Sequence, residues 1–185
     1  MNGVLREMKK KKYEIPADVI SVFEGITEEA YFNPEWDDEF CLAMNERLTK
    51  EQRFRLYETQ GGCNGTGADK DRKAFAAENA NLALDERIAL FAKTFGRWKP
   101  ELNDDNTLTL RFKCHHGYYK RANEGKYTAA PPNVESYFER CAGGRLYELQ
   151  MALGIKLKIK SVDVSPLKEN ISAPVIFTFE IVERS

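Results

Sequence analysis

An α+β fold, with a helical N-terminal half packed on a small, mostly antiparallel sheet, is the class this sequence predicts, on three observations. From Pro16 to about Gly96 the apolar residues recur at helical spacing. After Trp98-Lys99-Pro100 they change to alternation, and the chain closes on two alternating runs joined by a polar segment, the pattern of a β-hairpin. At 185 residues the chain is long enough to bury roughly 70% of its unfolded surface as one domain without disulfides. That domain is assigned to 16–185, helical over 16–98 and mixed strand and helix over 99–185.

The elements follow in order. Residues 1–15, with the run Lys9 to Lys12, have little to bury and read as a basic flexible tail. Thr49 and Gln52 have capping-box spacing ahead of Phe54 and Tyr57. Leu84, Ile88, Phe91 and Phe95 form a helical stripe that Gly96 stops. Asn103 to Asn106 is a turn, and Leu108, Leu110 and Phe112 then alternate with Thr109, Arg111 and Lys113 as a strand with one buried face. Extended onward, the same parity turns Cys114 and His116 inward and His115 outward. A polar, tyrosine-containing loop is expected through Pro131-Pro132. Ala142, Leu146, Leu149 and Leu153 then predict a helix ending at Gly154, which places Cys141 at or just before its N-terminus. Ile155, Leu157 and Ile159 alternate with lysines, Phe177, Phe179 and Ile181 with Thr178 and Glu180, and Ser165 to Pro174 connects the two strands.

Charge excludes some partners. With 28 Lys and Arg against 29 Asp and Glu, the net charge of -1 gives no field to gather nucleic acid or an anionic membrane. No stretch approaches a membrane span, and Met1 to Lys12 lacks the apolar run of a signal peptide, so the expected compartment is the cytoplasm. There thiols stay reduced, which turns attention to what the cysteines do singly or with a metal.

Three of the four cysteines lie within three residues of a glycine: Gly61-Gly62-Cys63-Asn64-Gly65, Cys114-His115-His116-Gly117 and Cys141-Ala142-Gly143-Gly144. The second segment holds both histidines. Cys63, Cys114 and Cys141 with His116 would supply the soft tetrahedral set that zinc takes, although they come from three separate segments. Alternatively Cys141, at a helix start between Arg140 and Arg145, is a nucleophile with His115 or His116 as its base. Gly62, Gly143 and Gly144 would then let a ligand approach backbone N–H groups, with Arg145 and the Tyr118 hydroxyl as further contacts. The plain alternative is that these cysteines are small buried hydrophobes, as Cys41 in Phe40-Cys41-Leu42-Ala43-Met44 reads. The sequence holds no GxGxxG, Walker loop, HExxH or GxSxG, which moves the best-marked nucleotide, zinc-protease and serine-hydrolase classes out of the front rank.

Gly62-Cys63, Cys114, Cys141 with Gly143, Gly154 and the closing hairpin together resemble a group of small bacterial Cys-rich domains, over about Arg53 to Val182. The group includes the L-2-amino-thiazoline-4-carboxylate hydrolase-like family, the 4-vinyl reductase-like ligand-binding domains and uncharacterised relatives. The resemblance implies one pocket in which the cysteines hold a metal or a small molecule. In its hydrolase-like branch it implies cleavage of a C–N bond in a small heterocycle or amide. This chain has single cysteines where those domains often have pairs, which leaves three readings: hydrolase, non-catalytic ligand-sensing or partner-binding module, and structural domain with buried thiols.

Overall fold

The computed structural model describes residues 2–11, 14–24, 34–62, 66–96 and 99–184. Six described helices precede the first strand: α1 (Asn2–Lys10), α2 (Ala17–Glu24), α3 (Pro34–Arg47), α4 (Lys50–Tyr57), α5 (Thr66–Glu78) and α6 (Leu84–Phe95). The predicted caps set two of their ends. The Gln52 N–H donates to the Thr49 hydroxyl and the Thr49 N–H to the Gln52 side chain, at 3.3 and 2.9 Å, which closes the capping box of α4. Helix α6 stops where Gly96 takes a φ of 64°, a left-handed conformation that glycine adopts without a Cβ penalty.

The remainder runs β1 (Glu101–Leu102), β2 (Thr107–Phe112), α7 (Gly117–Asn123), α8 (Val134–Leu153), β3 (Ile155–Asp163), α9 (Pro166–Glu169) and β4 (Val175–Arg184). All pairings are antiparallel, in the order β1-β2-β4-β3. The alternation was a sound guide, since Phe112, Leu157, Phe177 and Phe179 are all buried, with Phe112 stacked on Phe177 at 5.0 Å between centroids. In β3 the buried phase passes from Ile155, Leu157 and Ile159 to Val162, because an irregularity between Ile159 and Ser161 adds a residue opposite β4. The fold is α+β as expected, with helices concentrated in the N-terminal half. Helix α8 lies on the sheet, Phe138 meeting Phe112 edge-on at 6.3 Å, and its Leu146, Leu149 and Leu153 are all buried.

Strand β3 is an edge of this sheet, and side chains occupy N–H groups along it. Leu157 N–H donates to Gln150 of α8 and Ile159 N–H to Glu58 just beyond α4, each at 2.7 Å. The outward side chains of Lys156, Lys158 and Lys160 are exposed. Among the described residues no helix is long and apolar enough to cross a membrane.

Three expectations are corrected. The segment read as a flexible tail contains α1, in which Met8 is wholly buried and joins Ile15, Val19 and Ile20 in the core, while Lys9 and Lys10 remain exposed. The lysines masked a helix held by that burial; Lys12 lies outside the described residues. The loop expected before Pro131 contains α7, whose buried face is Tyr118, Tyr119, Arg121 and Ala122. Helix α8 starts at Val134, directly after Pro131-Pro132-Asn133, so Cys141 stands seven residues inside it.

Candidate functional site

The long helix α8 organises the buried polar chemistry. Its early start follows from its own pattern, Val134, Phe138, Cys141 and Ala142, which continues the later leucine stripe toward the N-terminus. Gly143 and Gly144 therefore lie mid-helix and buried, instead of forming an anion pocket at a helix start. Glycine at 143 answers a packing need. A Cβ there would run into the Tyr57 carbonyl oxygen and lie 2.8 Å from its carbon, so only glycine lets α4 approach α8 so closely. The Gln60 amide also donates to the Arg140 carbonyl across this contact.

The remaining candidates fall in different places. Gly62 packs on the side of α8, where a Cβ would come within 3.2 Å of Glu148 and Tyr147. Arg145 is buried and forms a two-pronged ion pair with Glu148 at 2.7 and 2.9 Å, so its charge is engaged by that carboxylate. His115 and His116 are both exposed, because β2 ends at Phe112 and the strand parity does not extend to them. Cys63 lies outside the described residues. Among the described residues no group of three or more His, Cys, Asp and Glu side chains is placed to hold a metal ion, so the zinc reading gains no support from Cys114, Cys141 and His116.

Two of the predicted residues, Cys114 and Cys141, both act on the phenol of Tyr119. The Tyr119 hydroxyl donates toward the carbonyls of Phe112 and Ala173, at 3.0 and 2.8 Å, and accepts the Val175 N–H at 3.2 Å, fastening α7 to the end of β2 and the start of β4. Burial pushes this phenol far above its ordinary pKa; the Val175 N–H opposes the shift, and the thiols of Cys114 and Cys141 add to it. Both thiols are half-buried, neither is in a disulfide, and the Cys114 thiol donates to the His116 carbonyl at 3.2 Å.

Beside this pair is an aromatic cluster built on Tyr118. Its ring stacks on Tyr127 at 5.4 Å and meets Tyr119 and Phe138 edge-on at 5.3 and 5.2 Å. Tyr137 secures the cluster by accepting the Tyr118 N–H at 3.0 Å, and Gly117, with a φ of 55°, leaves space for that hydroxyl: a Cβ there would run into it. The Arg121 guanidinium donates to the Tyr127 hydroxyl at 2.6 Å. The Tyr118 hydroxyl itself is buried and has no hydrogen-bond partner among the described residues. Burial, and then the neighbouring Tyr127, hold its pKa above the ordinary phenol value. A cleft of about 540 Å³ adjoins the cluster along the chain: Thr128, Ala129 and Ala130, directly after Tyr127, face Leu167 to Ile171.

Several buried charges escaped the sequence reading. Arg53 of α4 grips Glu139 of α8 through Nε and Nη2 and also donates to the Leu48 carbonyl at 2.9 Å. Burial works most strongly against the Arg53 charge, but the Glu139 bond and the negative charge of Glu139 and its neighbours together outweigh it, so its pKa rises. Arg72 of α5 bridges Asp69 and Glu148 at 3.0 Å each, and Tyr147 donates to Asp69 at 2.9 Å. The available signal was that Glu139, Arg145 and Glu148 interrupt a helix whose Phe138, Ala142, Leu146, Leu149 and Leu153 form an apolar stripe. These groups pair with one another and tie helices together, which marks them as structural. Comparison of the chain with family models, with curated proteins and with solved structures finds no match in any of the three.

Proposed function

We propose that this chain is a cytoplasmic small-molecule-binding domain whose ligand enters the cleft between Thr128–Ala130 and Leu167–Ile171 and reaches the Tyr118 hydroxyl. The observation that carries the reading is that hydroxyl: leaving a buried donor unpaired costs about 1–3 kcal/mol, a cost that a ligand able to accept its proton would remove. The cleft falls in the size range of small-molecule sites. Tyr127, the half-buried member of the cluster, stacks on Tyr118 and directly precedes Thr128 of the cleft, so on this reading its ring moves aside for the ligand. Aromatic faces and the Arg121 cation favour a flat heterocycle bearing an acceptor or a carboxylate. This agrees with the heterocyclic ligand class implied by the resemblance.

The test is a thermal-shift and ligand-observed NMR screen of small heterocyclic carboxylates against the native chain, Tyr118→Phe and Ala130→Trp. Hits should raise the melting temperature of the native chain and be lost in both variants. Tyr118→Phe alone should be as stable as the native chain or slightly more so, because it deletes an unpaired polar atom. Equal binding by Tyr118→Phe, or no hit on the native chain, would sink the proposal.

A further inference from the structure

Phe138, Cys141 and Arg145 occupy one face of α8, spaced i, i+3 and i+7. The outer two both lie on the Phe112 ring, Phe138 at 6.3 Å and the Arg145 guanidinium at 5.8 Å, so the residue between them is aimed at the end of β2. From Phe112 the chain reaches Cys114 in two residues. Tyr119 spans the same place, its hydroxyl on the Phe112 carbonyl and its ring 5.6 Å from Phe138. That both thiols act on the Tyr119 phenol agrees with this placement. Two half-buried thiols, one on α8 and one in the β2–α7 connection, are thus directed toward the same end of the sheet.

We propose that Cys114 and Cys141 are a redox dithiol, converted by hydroperoxides into an intramolecular disulfide that clamps α8 to the β2–α7 connection. In the first step one thiolate sulfur attacks a peroxide oxygen, the O–O bond breaks, and a sulfenic acid forms as the other oxygen leaves as water, or as an alcohol from an organic hydroperoxide. The second thiol then attacks the sulfenic sulfur, the S–S bond forms, and the hydroxyl departs as a second water. The two thiols are oxidised by two electrons and the peroxide is reduced by two. A dithiol reductant reverses the bond by exchange. In a reducing compartment such a bond is transient, as befits a sensor and not a structural staple.

The experiment treats the full chain with hydrogen peroxide, alkylates what remains reduced, and maps the peptides by mass spectrometry without reduction. The expected result is a Cys114–Cys141 linked peptide, loss of two hydrogens per chain, joint loss of iodoacetamide labelling at both positions, and full recovery with dithiothreitol. Cys41→Ser should oxidise as the native chain does, while Cys114→Ser and Cys141→Ser should each lose the link. The native chain carries the decisive readout, so a variant that fails to fold leaves the test intact. Bonds to Cys63, bonds between chains, sulfinic acids without a link, or no oxidation of the pair would each overturn the proposal.

Discussion

Helix α8 has two buried faces held by opposite kinds of interaction. Toward the sheet it presents Leu146, Leu149 and Leu153, where stability comes from removing apolar area from water and no partner needs a particular orientation. Toward α4 and α5 it presents Ser136, Glu139, Gly143 and Tyr147, each matched to one atom or group: the Tyr57 hydroxyl, the Arg53 guanidinium, the Tyr57 carbonyl and the Asp69 carboxylate. The first face tolerates imprecision. The second works only when its partners are in place, because a buried charge or donor without one costs more than the bond contributes.

The contrast breaks most sharply at Glu139. Glu139→Ala strands the buried Arg53 cation and should lower unfolding free energy by about 3–5 kcal/mol in urea titrations. Replacing both residues, Arg53→Met with Glu139→Leu, should restore most of it; a double variant as weak as the single one would show that the pair contributes more than mutual neutralisation. On the leucine face, Leu149→Ala should cost about 3 kcal/mol, with no second-site partner able to rescue it. A near-neutral effect there would mean that the sheet-facing stripe is misassigned.

The smallest effect is at Glu58, where pH sharpens the comparison. Burial raises its pKa above the ordinary 4.5, opposed by the Ile159 N–H and by nearby cations. A carboxyl whose folded pKa is raised contributes stability that is fully present below 4.5 and lost as pH rises through the folded value, so its ionised form weighs against the fold near neutrality. Glu58→Gln keeps an oxygen for the Ile159 N–H. It should therefore gain on the native chain between pH 4 and 7, as followed by melting temperature; an unchanged difference across that range would refute the assignment.

What was legible in the sequence follows the same division. The strands around Phe112, Leu157 and Phe179, the capping box at Thr49 and the stops at Gly96 and Gly154 were readable because they depend on local spacing or backbone conformation. The start of α8 was misread because its apolar stripe was counted from Ala142, with Gly143-Gly144 read as a ligand-approach site at a helix start, and the close approach of Tyr57 that explains Gly143 comes from residues far away in the chain. Arg53 and Glu139 are 86 positions apart, and nothing near either one announces the other. At the site, the exposure of His115 and His116 was decided by where β2 ends, which strand parity alone does not reveal. What the Tyr119 hydroxyl fastens had no local mark, since its three backbone partners belong to β2, β4 and the residues before β4.

The occupied edge of β3 bears on how the protein behaves in a crowded solution. An exposed strand with open N–H groups is a template on which another chain can add a strand, and repeated addition leads to aggregates. Here Gln150 and Glu58 already fill two of those positions, three lysines repel a second copy, and the opposite edge, β1, is two residues long. Solubility is thus guarded by side chains whose share of folding stability is small, so changes at Gln150 or Lys158 would first show as precipitation at high concentration, in a chain that still folds.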